Sequence, residues 1–181
     1  MTAEAVVPTM TTPSLPDWVF PPPGGFVAED LDHIPDLPAH TELIDGSLVF
    51  VRPQASFHMK VVDLLVAHLR QAAPDDLRVR REMSVILDPS QRPEPDLAVI
   101  RAAAVRDDDE TFYKAEDVLL VIEVVSPESK LRDRGRKPQL YADAGIPHFW
   151  LVEKESGKPA VYVYKLDPVT RSYAHTGVHF E

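Results

Sequence analysis

Eight residues near the middle of the chain, Val118 to Val125, constrain the fold more than any other stretch. Their sequence is Val-Leu-Leu-Val-Ile-Glu-Val-Val, in which seven residues are apolar and five are β-branched. A run of this length is too short to span a membrane and is typical of a strand buried on both faces of a sheet. An isolated buried carboxylate is costly to keep ionised, so Glu123 requires a cation, a hydrogen-bonding partner or a place at the open end of the sheet.

A second acid and a lysine stand where they could share a site with Glu123. Asp96 opens the apolar run Leu97 to Ile100, which predicts a neighbouring strand. Lys137 lies in the first turn of a predicted helix from about Arg136 to Ala144, which we expect to pack back over the sheet. Two close carboxylates repel unless a cation lies between them, and hard oxygen ligands favour Mg²⁺ or Mn²⁺. The pattern predicts a metal-and-water site, in which an ion activates water at a phosphate and a lysine assists.

The net charge of −10 limits how this protein could bind nucleic acid. A globally acidic chain gains no long-range attraction to a polyanion, so binding must rest on a local basic patch or on divalent cations. The candidate patch contains four basic side chains, Lys130, Arg132, Arg134 and Arg136. The alternative is a solvated charged surface with no ligand.

Cysteine usage and hydropathy indicate the compartment. The chain has no cysteine, which excludes disulfides and thiolate zinc sites and predicts a cytoplasmic location. No apolar run reaches membrane-spanning length, and the N-terminus lacks the order of a secretion signal. We therefore expect no membrane association.

The rest of the pattern predicts an α/β domain with a mixed sheet. Residues 1–25 are Pro-rich and predict a flexible arm, followed by a single domain over residues 26–181. Asp45-Gly46 predicts the turn of a hairpin over residues 41–51, and helical spacing follows over residues 58–72. The acidic segment from Arg106 to Lys114 predicts an exposed loop or helix end. The other predicted strands cover residues 79–87, 96–100, 118–125, 148–153 and 160–166.

The combination of Pro95-Asp96 with Glu123-Val124-Val125 resembles the PD-(D/E)XK signature of the restriction-endonuclease-like superfamily. Val125 occupies the position of the signature lysine. In the Uma-type branch of that superfamily this position is likewise apolar, and a lysine from the following helix substitutes. The chain is similar to that branch over about residues 29–173. The matching segments are Glu42 to Gly46, Pro95 to Val99, Ile122 to Pro127, Asp133-Arg134, Lys137, Leu140 to Ala142 and Ala144 to Trp150.

This resemblance implies a restriction-endonuclease-like core, with a mixed central β-sheet flanked by helices. It also implies a divalent-metal-dependent endonuclease that hydrolyses DNA phosphodiester bonds with Mg²⁺ or Mn²⁺. Asp96 and Glu123 would hold the metal, and Lys137 would be the migrated catalytic lysine that assists the attacking water. Glu42 would be an accessory acid that positions metal or water. DNA is then the expected partner, and a homodimer is expected because duplex cutting usually needs two sites.

Two other functions compete with the nuclease hypothesis. A catalytically inactive module of the same fold, which binds nucleic acid or a protein partner, fits the acidic charge and the apolar residue Val125. Two-carboxylate hydrolysis of a glycoside would use Asp96 and Glu123, but it leaves Lys137 and the basic residues without a role. For the individual residues the alternatives are structural: a salt bridge from Glu123 to an arginine such as Arg134, or a turn cap at Asp96.

Overall fold

A computed structural model describes residues 15–180, which contain a six-stranded mixed sheet with one helix packed on each face. The helices are α1, Ser56–Ala72, and α2, Lys137–Asp143. The strands are β1 Thr41–Ile44, β2 Ser47–Phe50, β3 Leu77–Arg81, β4 Ser84–Ile86, β5 Leu97–Arg101, β6 Phe112–Lys114, β7 Val118–Val124, β8 His148–Glu155, β9 Lys158–Asp167 and β10 Ser172–Phe180.

The apolar strand β7 lies inside the central sheet, whose strand order is β10-β9-β8-β7-β5-β3. It pairs antiparallel with β5 and parallel with β8. Leu97 faces Ile122 across the antiparallel β5–β7 pair. The next residue on each strand is an acid, so Asp96 and Glu123 lie at the same end of the pair. β7 is therefore an interior strand, with an apolar layer on each of its two faces. This is the environment that the continuous hydrophobic run predicts.

Two apolar layers bury the two faces of this sheet. On one face α1 contributes Val61 and Val62, which pack on Leu97 and Ile122. On the other face α2 contributes Tyr141, which packs with Val121, Phe149 and other residues of the second layer. The alternation of side chains along β7 puts Glu123 on the α2 face, between strand and helix.

A separate hairpin, β1–β2, is attached to one end of the sheet. Its turn residues Asp45 and Gly46 both have positive φ, 52° and 68°, which is the conformation that a tight two-residue hairpin requires. Leu43 forms a backbone bridge with Arg92 in the segment that precedes β5. The buried guanidinium of Arg92 also binds Asp32, so the hairpin and the N-terminal segment both contact Arg92.

Most of the predicted elements are confirmed, including the hairpin, α1, β5 and β7. The single strand predicted over residues 79–87 is wrong. The extended backbone is interrupted at Glu82, which has a φ of 51°. Beyond this residue β4 pairs with β6 and is not part of the central sheet. This pairing also makes a strand of Phe112–Lys114, in a segment for which we expected a loop or helix end. The edge strand β10 was not predicted.

Of the predicted arm, residues 1–14 lie outside the described residues. The described part includes a 3₁₀ turn at Asp17–Val19, and Trp18 packs edge-on against Phe50 of the hairpin with ring centroids 5.9 Å apart. Within residues 15–180 no helix combines the length and apolarity that crossing a bilayer demands.

Candidate active site

Four charged side chains are buried together on the α2 face of the sheet. Glu42 is 1% exposed, Glu123 2%, Asp133 1% and Lys137 4%. Charged residues are almost never buried to this degree unless they are paired. We refer to these four residues as the buried charge cluster.

Three different elements bring the cluster together. Glu42 comes from β1, and Glu123 is the penultimate residue of β7. Asp133 and Lys137 come from the helical segment that packs over the sheet, which begins with a π-helical turn at Arg132–Arg136 and continues as α2. Residues four apart on a helix share a side, so both Asp133 and Lys137 face β7.

The ammonium of Lys137 lies among the three carboxylates. Its Nζ atom is 2.8 Å from Oε1 of Glu42, 3.2 Å from Glu123 and 3.4 Å from Oδ1 of Asp133. The hydroxyl of Tyr141 donates a further hydrogen bond of 2.6 Å to Oε1 of Glu123. The structure thus brings together Glu42, Glu123 and Lys137, three of the four residues that the sequence assigned to the site.

One ammonium does not neutralise three carboxylates. Oε2 of Glu42 and Oδ1 of Asp133 are buried and accept no hydrogen bond within the described residues. Burial raises the pKa of Glu123 well above its ordinary value, and it also raises the pKa of Asp133. Burial lowers the pKa of Lys137, but the attraction of Glu123, Glu42 and Asp133 is larger and holds that pKa well above the usual range. With its three carboxyl groups ionised, the cluster has a deficit of positive charge.

The raised pKa of Glu123 predicts that the stability of the protein depends on pH. A carboxyl group whose pKa is raised by folding keeps its proton better in the folded state, so its contribution to stability is lost as the pH rises above the ordinary glutamate value. We expect the free energy of unfolding of the wild type, relative to Glu123→Gln, to fall between pH 5 and pH 8 in chelator. The limit is about 1.4 kcal/mol per pH unit for one proton. Urea unfolding of both proteins across this range measures it, and a difference that rises with pH would contradict the burial of an ionisable Glu123.

Asp96 adjoins the cluster without touching Lys137. Its Oδ2 atom accepts the backbone N–H of Val124 at 2.6 Å, and its Oδ1 atom lies 2.8 Å from Nε2 of His58. Its negative charge nevertheless helps to raise the pKa of Glu123. Asp96 and Glu123 are thus electrostatic neighbours at the ends of adjacent strands, and each is held by its own set of donors.

Three residues of this region were not identified as site residues from the sequence. Asp133 was noted only as part of a matching segment, although its spacing of four from Lys137 could have indicated a shared side of the helix. His58, at the start of α1, and Tyr141, in α2, are not assigned a role by the sequence pattern. Nothing in the spacing of His58 and Asp96, 38 residues apart, indicates that they meet.

Asp96 also lines an open cleft of about 480 Å³, which we call the acidic cleft. Glu82 and Glu94 line the same cleft, together with His40, Arg52 and Arg81. Nδ1 of His40 is 2.5 Å from Oε1 of Glu94, and the backbone N–H of Glu94 donates to Glu42 in the buried charge cluster. Burial raises the pKa of Glu94, and the hydrogen bond with Glu94 raises the pKa of His40. The acidic cleft is the open side of the site.

Carboxylate oxygens are the ligands that a hard divalent cation prefers, and the carboxylates of the buried charge cluster outnumber its ammonium. The two buried oxygens that accept no hydrogen bond within the described residues belong to Glu42 and Asp133, whereas both oxygens of Asp96 have partners. Within residues 15–180, no three His, Asp or Glu side chains are arranged to hold a metal ion by themselves. A cation held by Asp96 and Glu123 would therefore complete its coordination with water and a substrate phosphate, as Mg²⁺ commonly does.

The basic patch predicted for nucleic acid is largely paired with acids of the protein itself. Arg134 forms a two-point salt bridge with Glu153. Arg136 forms one with Asp45. Arg132 lies 3.7 Å from Glu128. Lys130 is the one residue of the predicted patch that has no acid within ion-pair distance among residues 15–180.

Comparison with known proteins agrees with this architecture. A crystal structure of a "putative nuclease belonging to DUF820" from Anabaena variabilis is similar with a TM-score of 0.61 at 14% identity, over 86% of this chain and 83% of that one. This likeness confirms the predicted fold class. NucC from P. aeruginosa in a cAAA-bound form gives a TM-score of 0.40 at 11% identity, over 66% of this chain and 70% of that chain. Apo NucC from E. coli gives 0.37 at 9% identity, over 67% and 80%. Scores this low bear no weight in the assignment.

A search of curated proteins gives no match to this sequence. The model of the Uma2 family, described as "Putative restriction endonuclease", matches residues 28–180. That range includes the buried charge cluster, Asp96 and all ten strands. The chain therefore belongs to the Uma2 family.

Proposed function

We propose that this protein is a divalent-metal-dependent endonuclease that hydrolyses phosphodiester bonds of DNA. Membership of the Uma2 family supports a nuclease function. The observation that carries the finer proposal is the buried charge cluster, in which Glu42, Glu123 and Asp133 surround a single ammonium. A protein that needed only stability would not keep such an excess of buried negative charge, because apolar residues of similar volume stabilise a core as well or better.

In this proposal Asp96 and Glu123 hold Mg²⁺ or Mn²⁺, which supplies an activated water and stabilises charge at the phosphate. Lys137 orients the attacking water and stabilises the negative charge that develops on the phosphoryl oxygens. Glu42 positions Lys137 through its 2.8 Å contact. Asp133 supports the same ammonium from one helical turn earlier, and Tyr141 fixes the carboxylate of Glu123.

The first test is cleavage of supercoiled plasmid by the purified protein. We expect nicked or linear product with Mg²⁺ or Mn²⁺ and none in chelator. Residues 15–180 of each chain contain one such site, and cutting both strands of a duplex usually uses two sites. We therefore also propose a homodimer, which gel filtration with light scattering tests.

Metal binding can be measured without turnover. We expect calorimetric titration with Mn²⁺ to detect binding by the wild type, and Asp96→Asn to weaken it by at least about tenfold, because removal of even an outer-shell partner costs that much. Asparagine can still accept the N–H of Val124, so the local fold is preserved. The matched control is Glu116→Gln at an exposed acid, which should bind Mn²⁺ as the wild type does.

A non-catalytic module of the same fold is the second candidate function. It is favoured by the hydrogen bonding of Asp96, both of whose oxygens already have partners within the protein. This function predicts no Mn²⁺ binding by the wild type and no cleavage under any metal, together with retained DNA or protein binding. Equal Mn²⁺ binding by the wild type and Asp96→Asn would instead reject Asp96 as a ligand while leaving the nuclease function open to the cleavage test.

A further inference from the structure

A second cleft of about 520 Å³ lies at the end of β7, beyond Val125. We call it the basic cleft. Its wall includes Ser126 and two residues at the start of α1, Phe57 and His58. The charged residues that line it are Lys130, Arg134, Glu153 and Lys154.

The net charge of the basic cleft comes from two lysines. Arg134 and Glu153 neutralise each other through their two-point salt bridge. Lys130 and Lys154 have no acid within ion-pair distance in the described part of the chain, and both are exposed. A protein with a net charge of −10 has few places where a polyanion would meet positive charge, and this concave surface is one of them.

Lys154 has a contact with the cleft wall that does not depend on a ligand. Its Nζ atom lies 5.2 Å from the centre of the Phe57 ring, a cation–π contact that holds the ammonium at the cleft wall. Lys130 lines the same cleft from another element, at the start of the helical segment that carries Lys137. Two ammonium groups in one open cleft, on two different elements, suit an extended anionic chain better than a small neutral ligand.

His58 connects the basic cleft to the candidate active site. It lines the basic cleft, it is 4% exposed, and its Nε2 atom contacts Asp96, which lines the acidic cleft. The His58–Asp96 pair therefore lies between the two clefts. A chain lying in the basic cleft would be separated from the carboxylate of Asp96 by the ring of His58.

From this placement we propose that the basic cleft binds the phosphate backbone of the DNA strand that is cut, through Lys130 and Lys154. This inference rests on the proposed function, because the polyanion it names is the nuclease substrate. It assigns the contact to Lys154, which the sequence did not single out. Of the predicted basic patch, the inference keeps only Lys130, which has no acidic partner among residues 15–180.

The test is the salt dependence of duplex DNA binding, measured in chelator so that nothing is cut. Each phosphate contact contributes about 0.9 to the slope of log K against log salt concentration. We expect Lys130→Gln and Lys154→Gln each to lower the slope by about that amount, and to weaken binding at 0.1 M salt by roughly eightfold. The matched controls are Lys158→Gln and Lys165→Gln, exposed lysines of β9 outside the cleft, which should leave slope and affinity unchanged.

The outcomes separate this inference from the proposed function. If the wild type cuts plasmid but Lys130→Gln and Lys154→Gln bind with unchanged slopes, the basic cleft is not the DNA site and the nuclease remains. If the wild type never cuts but both variants lose their share of the slope, the cleft assignment stands and the catalytic proposal fails. Equal losses in cleft and control variants, or no DNA binding by the wild type, would overturn the inference.

Discussion

Glu123→Gln is expected to abolish DNA cleavage while leaving the protein folded. The substitution removes one of the two proposed metal ligands but keeps the shape of the side chain and an oxygen that accepts the Tyr141 hydrogen bond. We expect the cleavage rate to fall by about 1,000-fold or more, which corresponds to about 4 kcal/mol of transition-state stabilisation.

Stability should change far less than activity. Glu123 attracts Lys137, but it also repels Asp133, Asp96 and Glu42, and these effects oppose each other. At neutral pH we therefore expect the free energy of unfolding to stay within about 1 kcal/mol of the wild type. Plasmid cleavage and urea unfolding of the same preparation measure both quantities.

Glu116→Gln is the control, because it also removes one negative charge, from an exposed site. It should cut like the wild type. If the two variants lose activity equally, Glu123 has no special part in cleavage. If Glu123→Gln cuts normally, the assignment of the active site to the buried charge cluster is wrong.

Lys137→Met is expected to have the largest effect on stability. It removes the ammonium from among Glu42, Glu123 and Asp133 and leaves three buried carboxylates without a cation. Removing one partner of a buried ion pair costs about 3–5 kcal/mol, since the remaining charge is then uncompensated. We expect a loss of that size in the free energy of unfolding at pH 7.5, measured in urea, together with loss of cleavage.

Two further measurements identify the cause of this loss. Lowering the pH to 5 should recover part of the stability, because protonation removes the uncompensated charge. Lys158→Met, at an exposed lysine, should change the free energy of unfolding by no more than about 0.5 kcal/mol. A loss for Lys137→Met that does not depend on pH would indicate a packing defect in place of an electrostatic one.

Sequence reasoning found the parts of the site that follow from local rules. The apolar run around Glu123 indicated a buried strand, and the turn at Asp45-Gly46 indicated the hairpin that carries Glu42. The helix position of Lys137 followed from the signals that flank it, Pro138 in the first turn and Gly145 after the end. Each of these signals depends on residues close together in the chain.

The sequence could not reveal features that depend on distant contacts or on irregular backbone. The π-helical turn at Arg132–Arg136 precedes the point where we expected the helix to begin, and it brings in Asp133. The break at Glu82 depends on a positive φ that a glutamate seldom adopts. β10 is mostly exposed at the sheet edge, so it has too few apolar residues for alternation to indicate a strand.

The lysine of this site comes from a helix, while two of its three carboxylate partners, Glu42 and Glu123, come from strands. Along a single strand, two residues such as Glu123 and Val125 keep a spacing fixed by the covalent backbone. Here the distance from Lys137 to Glu123 is set by the docking of α2, which depends on the burial of Tyr141 and Leu140. The geometry of the candidate site thus depends on how α2 packs against the sheet. Substitutions that loosen this helix by a fraction of an ångström should impair turnover before they measurably weaken the fold.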